Sequence, residues 1–169
     1  MIPSVTVKTS AGADFPLKEK IVGHPTVLLF YRGGWCPYCN RHLADVQTVE
    51  KELVALGYQI LAISADPPEL LAATAEKGKL TYTLLSDADM QAAGAFGLAF
   101  ALDDATVKKY KGYGIHLTAQ QGDRFWLPVP AAYVVDANGK IVFAHSNPDY
   151  KQRLSGVDLL KAARQAAGK

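Results

Sequence analysis

The sequence predicts an α/β fold, a central mixed β-sheet flanked by helices, and three observations carry that prediction. Thr26-Val27-Leu28-Leu29-Phe30-Tyr31 is a continuous apolar run of strand length, which suits a strand covered on both faces. Helix-like and strand-like segments then alternate, the pattern of a β-α-β-α unit with parallel strands side by side. Toward the other end, two strand-like runs flank Ala137-Asn138-Gly139, the strongest hairpin signal in the chain, which adds antiparallel strands to the parallel ones.

The elements follow in order. After the first strand, Arg32-Gly33-Gly34 reads as a loop, and a helix is expected from Pro37, where a proline at N1 costs no hydrogen bond, to about Leu56. Leu43, Val46, Val49, Leu53 and Leu56 recur along it at three and four, and Gly57 ends it. Tyr58 to Ser64 is the next strand. Asp66-Pro67-Pro68-Glu69 offers an N-cap, a proline at N1 and an N3 glutamate for a helix closing at Gly78. Thr81 to Leu85 is a strand, and Ser86-Asp87 caps a short helix over 89–96. Residues 98–128, rich in Gly, Asp and aromatics, show no sustained period and are expected to form a helical turn plus an irregular loop covering the site. The hairpin strands run over 131–136 and 140–145, and a last helix starts at Ser155 with Asp158 at N3. No repeat or composition break divides the chain, so one domain is expected over 1–169.

Composition narrows the function classes. Lys+Arg 18 against Asp+Glu 16 leaves a net charge of +2, with basic residues scattered apart from Lys108-Lys109-Tyr110-Lys111, which argues against nucleic acid. No stretch reaches the ~18 apolar residues of a membrane span, and Met1 to Lys8 has no basic-then-apolar leader pattern. A cytoplasmic protein is the expectation. A chain of this length can fold without disulfide staples, so its two cysteines are free for chemistry.

Those two are Cys36 and Cys39, three positions apart at a helix start. At i and i+3 two thiols share one helix face, roughly 5 to 6 Å apart at Cβ, close enough to open and close as a disulfide. Unpaired N–H groups and the positive end of the helix dipole favour thiolate over thiol in the nearer sulfur. A zinc site would need a second cysteine pair, and of His24, His42, His116 and His145 only His42 lies near in sequence. Haem attachment needs histidine where Asn40 stands. No metal and no bound cofactor is expected. Cys36 is favoured as the nucleophile, since a first-turn N–H can reach its sulfur and access is better, and Cys39 as the resolving thiol; the reverse assignment stays open. His42 reads as a surface histidine, and Phe125 and Trp126 as either substrate lining or packing. Gly33 and Gly34 allow a tight turn and a partner's approach.

With these residues in place, the chain resembles the thioredoxin-like superfamily and, within it, the peroxiredoxin-like (AhpC/TSA, redoxin) branch. The strand, loop and cysteine at a helix start, the stretch Ile63-Ser64-Ala65-Asp66-Pro67-Pro68-Glu69, the segment Leu84 to Asp89 with Ala95-Phe96-Gly97-Leu98, and the hairpin Val129 to Ile141 carry the resemblance. Cys36-Pro37-Tyr38-Cys39 is similar to the glutaredoxin dithiol, with Trp35 before it as in thioredoxin. In peroxiredoxin register Arg32 stands at the family's proline, Cys36 at its threonine or serine, and Cys39 at its peroxidatic cysteine. An arginine usual before the closing hairpin is replaced by Leu127-Pro128-Val129-Pro130. The resemblance implies thiol-dependent antioxidant chemistry on a peroxide, or alternatively on a disulfide, or a redox sensor without turnover. Cys36 and Cys39 would be catalytic, and Arg32, Trp35, Pro37 and a cis Pro130 supporting. Thioredoxin, glutaredoxin or glutathione would be the reductant and a homodimer the assembly.

Overall fold

The computed structural model describes residues 1–169. Its elements are β1 (Thr6–Lys8), β2 (Asp14–Pro16), α1 (Leu17–Ile21), β3 (Thr26–Tyr31), α2 (Pro37–Thr48), α3 (Glu50–Ala55), β4 (Gln59–Ser64), α4 (Pro68–Gly78) and β5 (Thr83–Ser86). They continue with α5 (Gln91–Ala95), β6 (Ala99–Ala101), α6 (Asp104–Gly112), β7 (Gln120–Gln121), β8 (Arg124–Pro128), β9 (Ala131–Val135), β10 (Ile141–Ser146) and α7 (Gly156–Ala166). A seven-stranded mixed sheet runs β10-β9-β3-β4-β5-β1-β2. In it β3, β4 and β5 are parallel, and β9, β10, β1 and β2 join antiparallel.

The continuous apolar run becomes β3 near the middle of that sheet, all six residues buried. Alternate side chains serve two cores, as the two-residue period of a strand requires. Val27, Leu29 and Tyr31 join Leu43 and Val46 of α2, Leu53 of α3 and Leu159 and Ala163 of α7. Leu28 and Phe30 join Leu17 and Ile21 of α1 and Ala92 and Ala93 of α5 on the other face. Each fully buried leucine contributes roughly 1.5–3 kcal/mol. Both cysteines belong to the first core.

Four expectations are corrected. The helix from Pro37 breaks at Val49, where the Thr48 hydroxyl takes the Asp45 carbonyl and the Val49 N–H turns back to Val46. Periodicity cannot see this, because the apolar stripe continues through the break. Asp66 is not the cap of α4, which starts after Pro67 without a side-chain cap; the Asp66 carboxylate is drawn instead to the loop at Gly34. Pro130 is not cis, since every peptide is trans. The chain leaves β8 with Val129 N–H on the Leu98 carbonyl and runs directly into β9. Residues 98–128 hold more order than expected: α6 and a small antiparallel sheet β6-β8-β7. Phe125 and Trp126 sit in that sheet and pack on the core away from the cysteines. Asp87 does cap α5, with its two oxygens on the Ala92 and Ala93 N–H groups at 2.9 and 2.8 Å, and Ser155 caps α7 through the Asp158 N–H.

Helix α7 meets α2 at Gly156, whose N–H donates to Asp45 Oδ2 at 2.7 Å. A Cβ there would stand 2.7 Å from the Asp45 backbone oxygen. Gly156→Ala is therefore expected to lower stability by about 1–3 kcal/mol through overpacking, seen as a reduced urea midpoint with an unchanged slope.

Candidate active site

β3 delivers the chain to a loop that backbone hydrogen bonds pin closely. Gly34 N–H donates to Asp66 Oδ2 at 2.7 Å, Asn40 Nδ2 to the Gly34 carbonyl at 2.8 Å, and Cys36 N–H to the Gly33 carbonyl at 3.2 Å. Asp66 is buried, which pushes its carboxyl up, partly opposed by the Gly34 N–H. A Cβ on Gly33 would collide with the Trp35 indole and the Asp66 carboxylate, and one on Gly34 with Thr74 Oγ1. Both glycines are therefore required by close packing, and the space beside them is filled rather than left open to a partner.

Pro37 occupies N1 of α2 and Cys36 is its N-cap. Cys36 Sγ accepts the Cys39 N–H at 3.3 Å, the bond a serine or threonine cap would make. Cys39 sits one turn in, and its Sγ accepts from Arg32 N–H at 3.4 Å and from Arg153 Nη2 at 3.1 Å. Burial alone pushes the Cys39 thiol up. The Cys36 hydrogen bond, the Arg153 charge and hydrogen bond and the Arg32 N–H outweigh it, lowering the group to about 6. Cys36 moves the other way, its proton held by the bond to Cys39 and by burial. Both thiols are free, and their exposures are 1% and 0%. The expected advantage of Cys36 in access is thus absent.

Arg32 turns inward, 4% exposed, and lies among three aromatic rings. Its guanidinium carbon is 4.2 Å from the Tyr150 ring centre, 5.0 Å from Trp35 and 5.3 Å from Tyr110, and Nη2 donates to the Tyr110 hydroxyl. Trp35 is half-buried against Tyr110, with ring centres 5.7 Å apart, and Tyr38 meets Tyr150 edge-on at 5.6 Å. Helix α6, through Tyr110, and the turn at Tyr150 therefore pack onto Arg32, Trp35 and Tyr38 around the cysteine loop.

Arg153 is the residue that sequence reasoning missed. It lies 114 positions from Cys39, just ahead of the α7 cap, and no local pattern distinguishes it from a solvated loop arginine. His42, expected at the surface, is buried on the inner face of α2 and held to about 4 by burial and then by the Arg153 charge, so it is neutral at pH 7. Pro130 is buried one step beyond the Phe30–Ala131 pair and bonds neither sulfur.

The AhpC/TSA family profile matches residues 1–144. Peroxiredoxin Bcp of Escherichia coli K12 is 32% identical over 129 residues, 76% of this chain and 71% of that protein. A putative peroxiredoxin of Mycobacterium tuberculosis H37Rv is 27% identical over 86% of this chain and 82% of its own. A 38% match to putative peroxiredoxin bcp of Haemophilus influenzae spans 45% of this chain and 49% of that protein. The fold is that of reduced Prx3 of Vibrio vulnificus, solved with hydrogen peroxide (TM-score 0.77, 21% identity, 96% and 95% of the two chains), and of Xanthomonas campestris peroxiredoxin Q (0.75, 20%, 99% and 96%). A dithiol at a strand-to-helix junction, set in this sheet and matched along most of its length, places the chain in the AhpC/TSA family, the thiol-dependent peroxidases of the peroxiredoxin branch of the thioredoxin-like superfamily.

Proposed function

We propose that the chain reduces peroxides as one domain, with Cys39 as the attacking sulfur and Cys36 as the resolving one, the reverse of the order favoured by sequence. The observation that carries this is the Arg153 hydrogen bond to Cys39 Sγ, reinforced by the Arg32 N–H, where Cys36 receives only a cap N–H. Arg153 then does from the α7 side what the missing arginine ahead of the closing hairpin would do. Cys36 stands where the family has a hydroxyl, and its S–H is a weak donor in that place. The Cys39 thiolate attacks one peroxide oxygen, the O–O bond breaks, and the leaving alkoxide or hydroxide takes a proton. The Cys36 thiol attacks the resulting sulfenic acid, the S–S bond forms and water leaves. Two thiols of a reductant, from thioredoxin, glutaredoxin or glutathione, restore both cysteines and leave as a disulfide. Arg32 and Trp35 pack around the cysteine loop, Pro37 starts the helix that aims the sulfurs, and Pro130 shapes the entry to β9. A reducing cytoplasm suits the free dithiol, and a homodimer is the assembly that the family suggests.

Burial favours a small peroxide over a protein disulfide, which could not reach sulfurs at 1% and 0% exposure without the residues around them moving. In Cys36→Ser, mass spectrometry after limited peroxide is expected to find sulfenic acid on Cys39, while Cys39→Ser stays unoxidised. The opposite pattern would sink the assignment.

Because the Cys39 thiol is lowered to about 6, thiolate predominates above that pH and is lost as pH falls through it. The peroxide reaction rate is expected to follow the same curve, flat near pH 8 and falling below about 6. Arg153→Ala removes a charge-assisted bond of roughly 1.5–3 kcal/mol, so it should move the midpoint up by about one to two pH units and, through the lost thiolate fraction, slow oxidation at pH 7 by about two- to fifteenfold. An unchanged midpoint, read by alkylation rate against pH in Cys36→Ser backgrounds, would count against the role of Arg153.

A further inference from the structure

A groove opens between α2 and the turn leading to α7, lined by Tyr38, Arg41, His42, Lys151, Arg153 and Asp45 among others. Its charges are unbalanced. Arg41, Lys151 and Arg153 carry no carboxylate partner, the molecule's one ion pair being Lys8 with Asp14; against these three cations the lining holds one carboxylate, Asp45, whose Oδ2 accepts the Gly156 N–H. Arg41 and Lys151 rest over tyrosine rings, Tyr38 at 5.6 Å and Tyr150 at 5.9 Å, which leaves their charges to the groove.

Two residues of this groove's lining also hold a buried polar atom that lacks a partner, Arg153 Nη1 and His42 Nε2. His42 itself is more than nine-tenths buried. Arg153 thus has one amino group on the Cys39 sulfur, its Nε on the Tyr150 carbonyl, and a third donor group unused. A buried unpaired donor on a cation costs free energy that a bound acceptor would recover. Planar or tetrahedral oxyanions match the guanidinium fork, and two flanking cations add attraction.

We propose that this groove is an oxyanion subsite, taking a carboxylate or phosphate group onto Arg153 with Arg41 and Lys151 at its rim. An occupant there meets Arg153, whose Nη2 donates to Cys39 Sγ; neither cysteine lines the groove itself. The subsite therefore draws anionic groups to the guanidinium that holds Cys39 Sγ. Its kinetic consequence rests on the reading of Cys39 as the attacking sulfur; its binding consequence does not.

Inorganic phosphate titrated into the reduced protein, followed by phosphorus NMR line broadening, tests binding directly. Saturable broadening is expected in the wild type, weakened at least tenfold in Arg41→Gln/Lys151→Gln and retained in Lys108→Gln/Lys109→Gln, which removes equal charge from α6. Absence of saturation, or equal loss in both double variants, overturns the subsite. The source of the anion is read from a carboxylate-bearing organic hydroperoxide and its methyl ester, compared for the rate of Cys39 oxidation. If the acid alone slows in Arg41→Gln/Lys151→Gln and under phosphate, the occupant is the substrate's own carboxylate; if acid and ester respond alike, it is a free oxyanion. Hydrogen peroxide serves as the uncharged reference in every variant. A protein that binds phosphate but ignores hydrogen peroxide would defeat the peroxidase reading and leave the subsite standing.

Discussion

A thiolate buried where water cannot solvate it needs a positive partner, and the structure is organised around that constraint. Cys39 lies one turn into α2, inside the core that β3 shares with α2 and α7. Burial by itself would keep it protonated and inert. The Cys36 hydrogen bond and Arg153 together reverse the balance, and Arg153 can do so because α7 packs on α2 closely enough, at Gly156 and Asp45, for the preceding turn to lay a guanidinium on the sulfur. The packing of α7 on α2 thus sets the chemistry of the first turn of α2.

The second arginine does a different task. Arg32 gives Cys39 its backbone N–H, while its side chain is held among Trp35, Tyr110 and Tyr150. A guanidinium in that position joins α6, the turn before α7 and the cysteine loop through one group. The aromatic rings around Arg32 and the loop that carries the cysteines are therefore joined as one unit. Cys36 completes it by acting both as helix cap and as the neighbouring thiol, its proton held by the bond to Cys39 and by burial.

Much of this was legible in the chain. The β3 run, the hairpin, the proline at N1 of α2 and the Asp87 and Ser155 caps all depend on neighbours within a few residues, where sterics and hydrogen bonding are local. The failures share a cause. Asp66 has every local property of a cap but is captured by Gly34, 32 positions away. Val49 continues an apolar stripe while its backbone leaves the helix. His42 looks polar yet lies under Arg153, and α6 with the β6-β8-β7 sheet escaped because their stabilising contacts come from elsewhere in the chain.

The amino-acid sequence by itself determined that this is an α/β chain of the peroxiredoxin-like branch with a redox dithiol at a helix start. Local spacing specifies where two sulfurs can meet and what they can become. Which of them carries the negative charge was decided only in three dimensions. Charge stabilisation depends on distance through space, and the guanidinium within 3.1 Å of Cys39 comes from a turn that sequence separation hides.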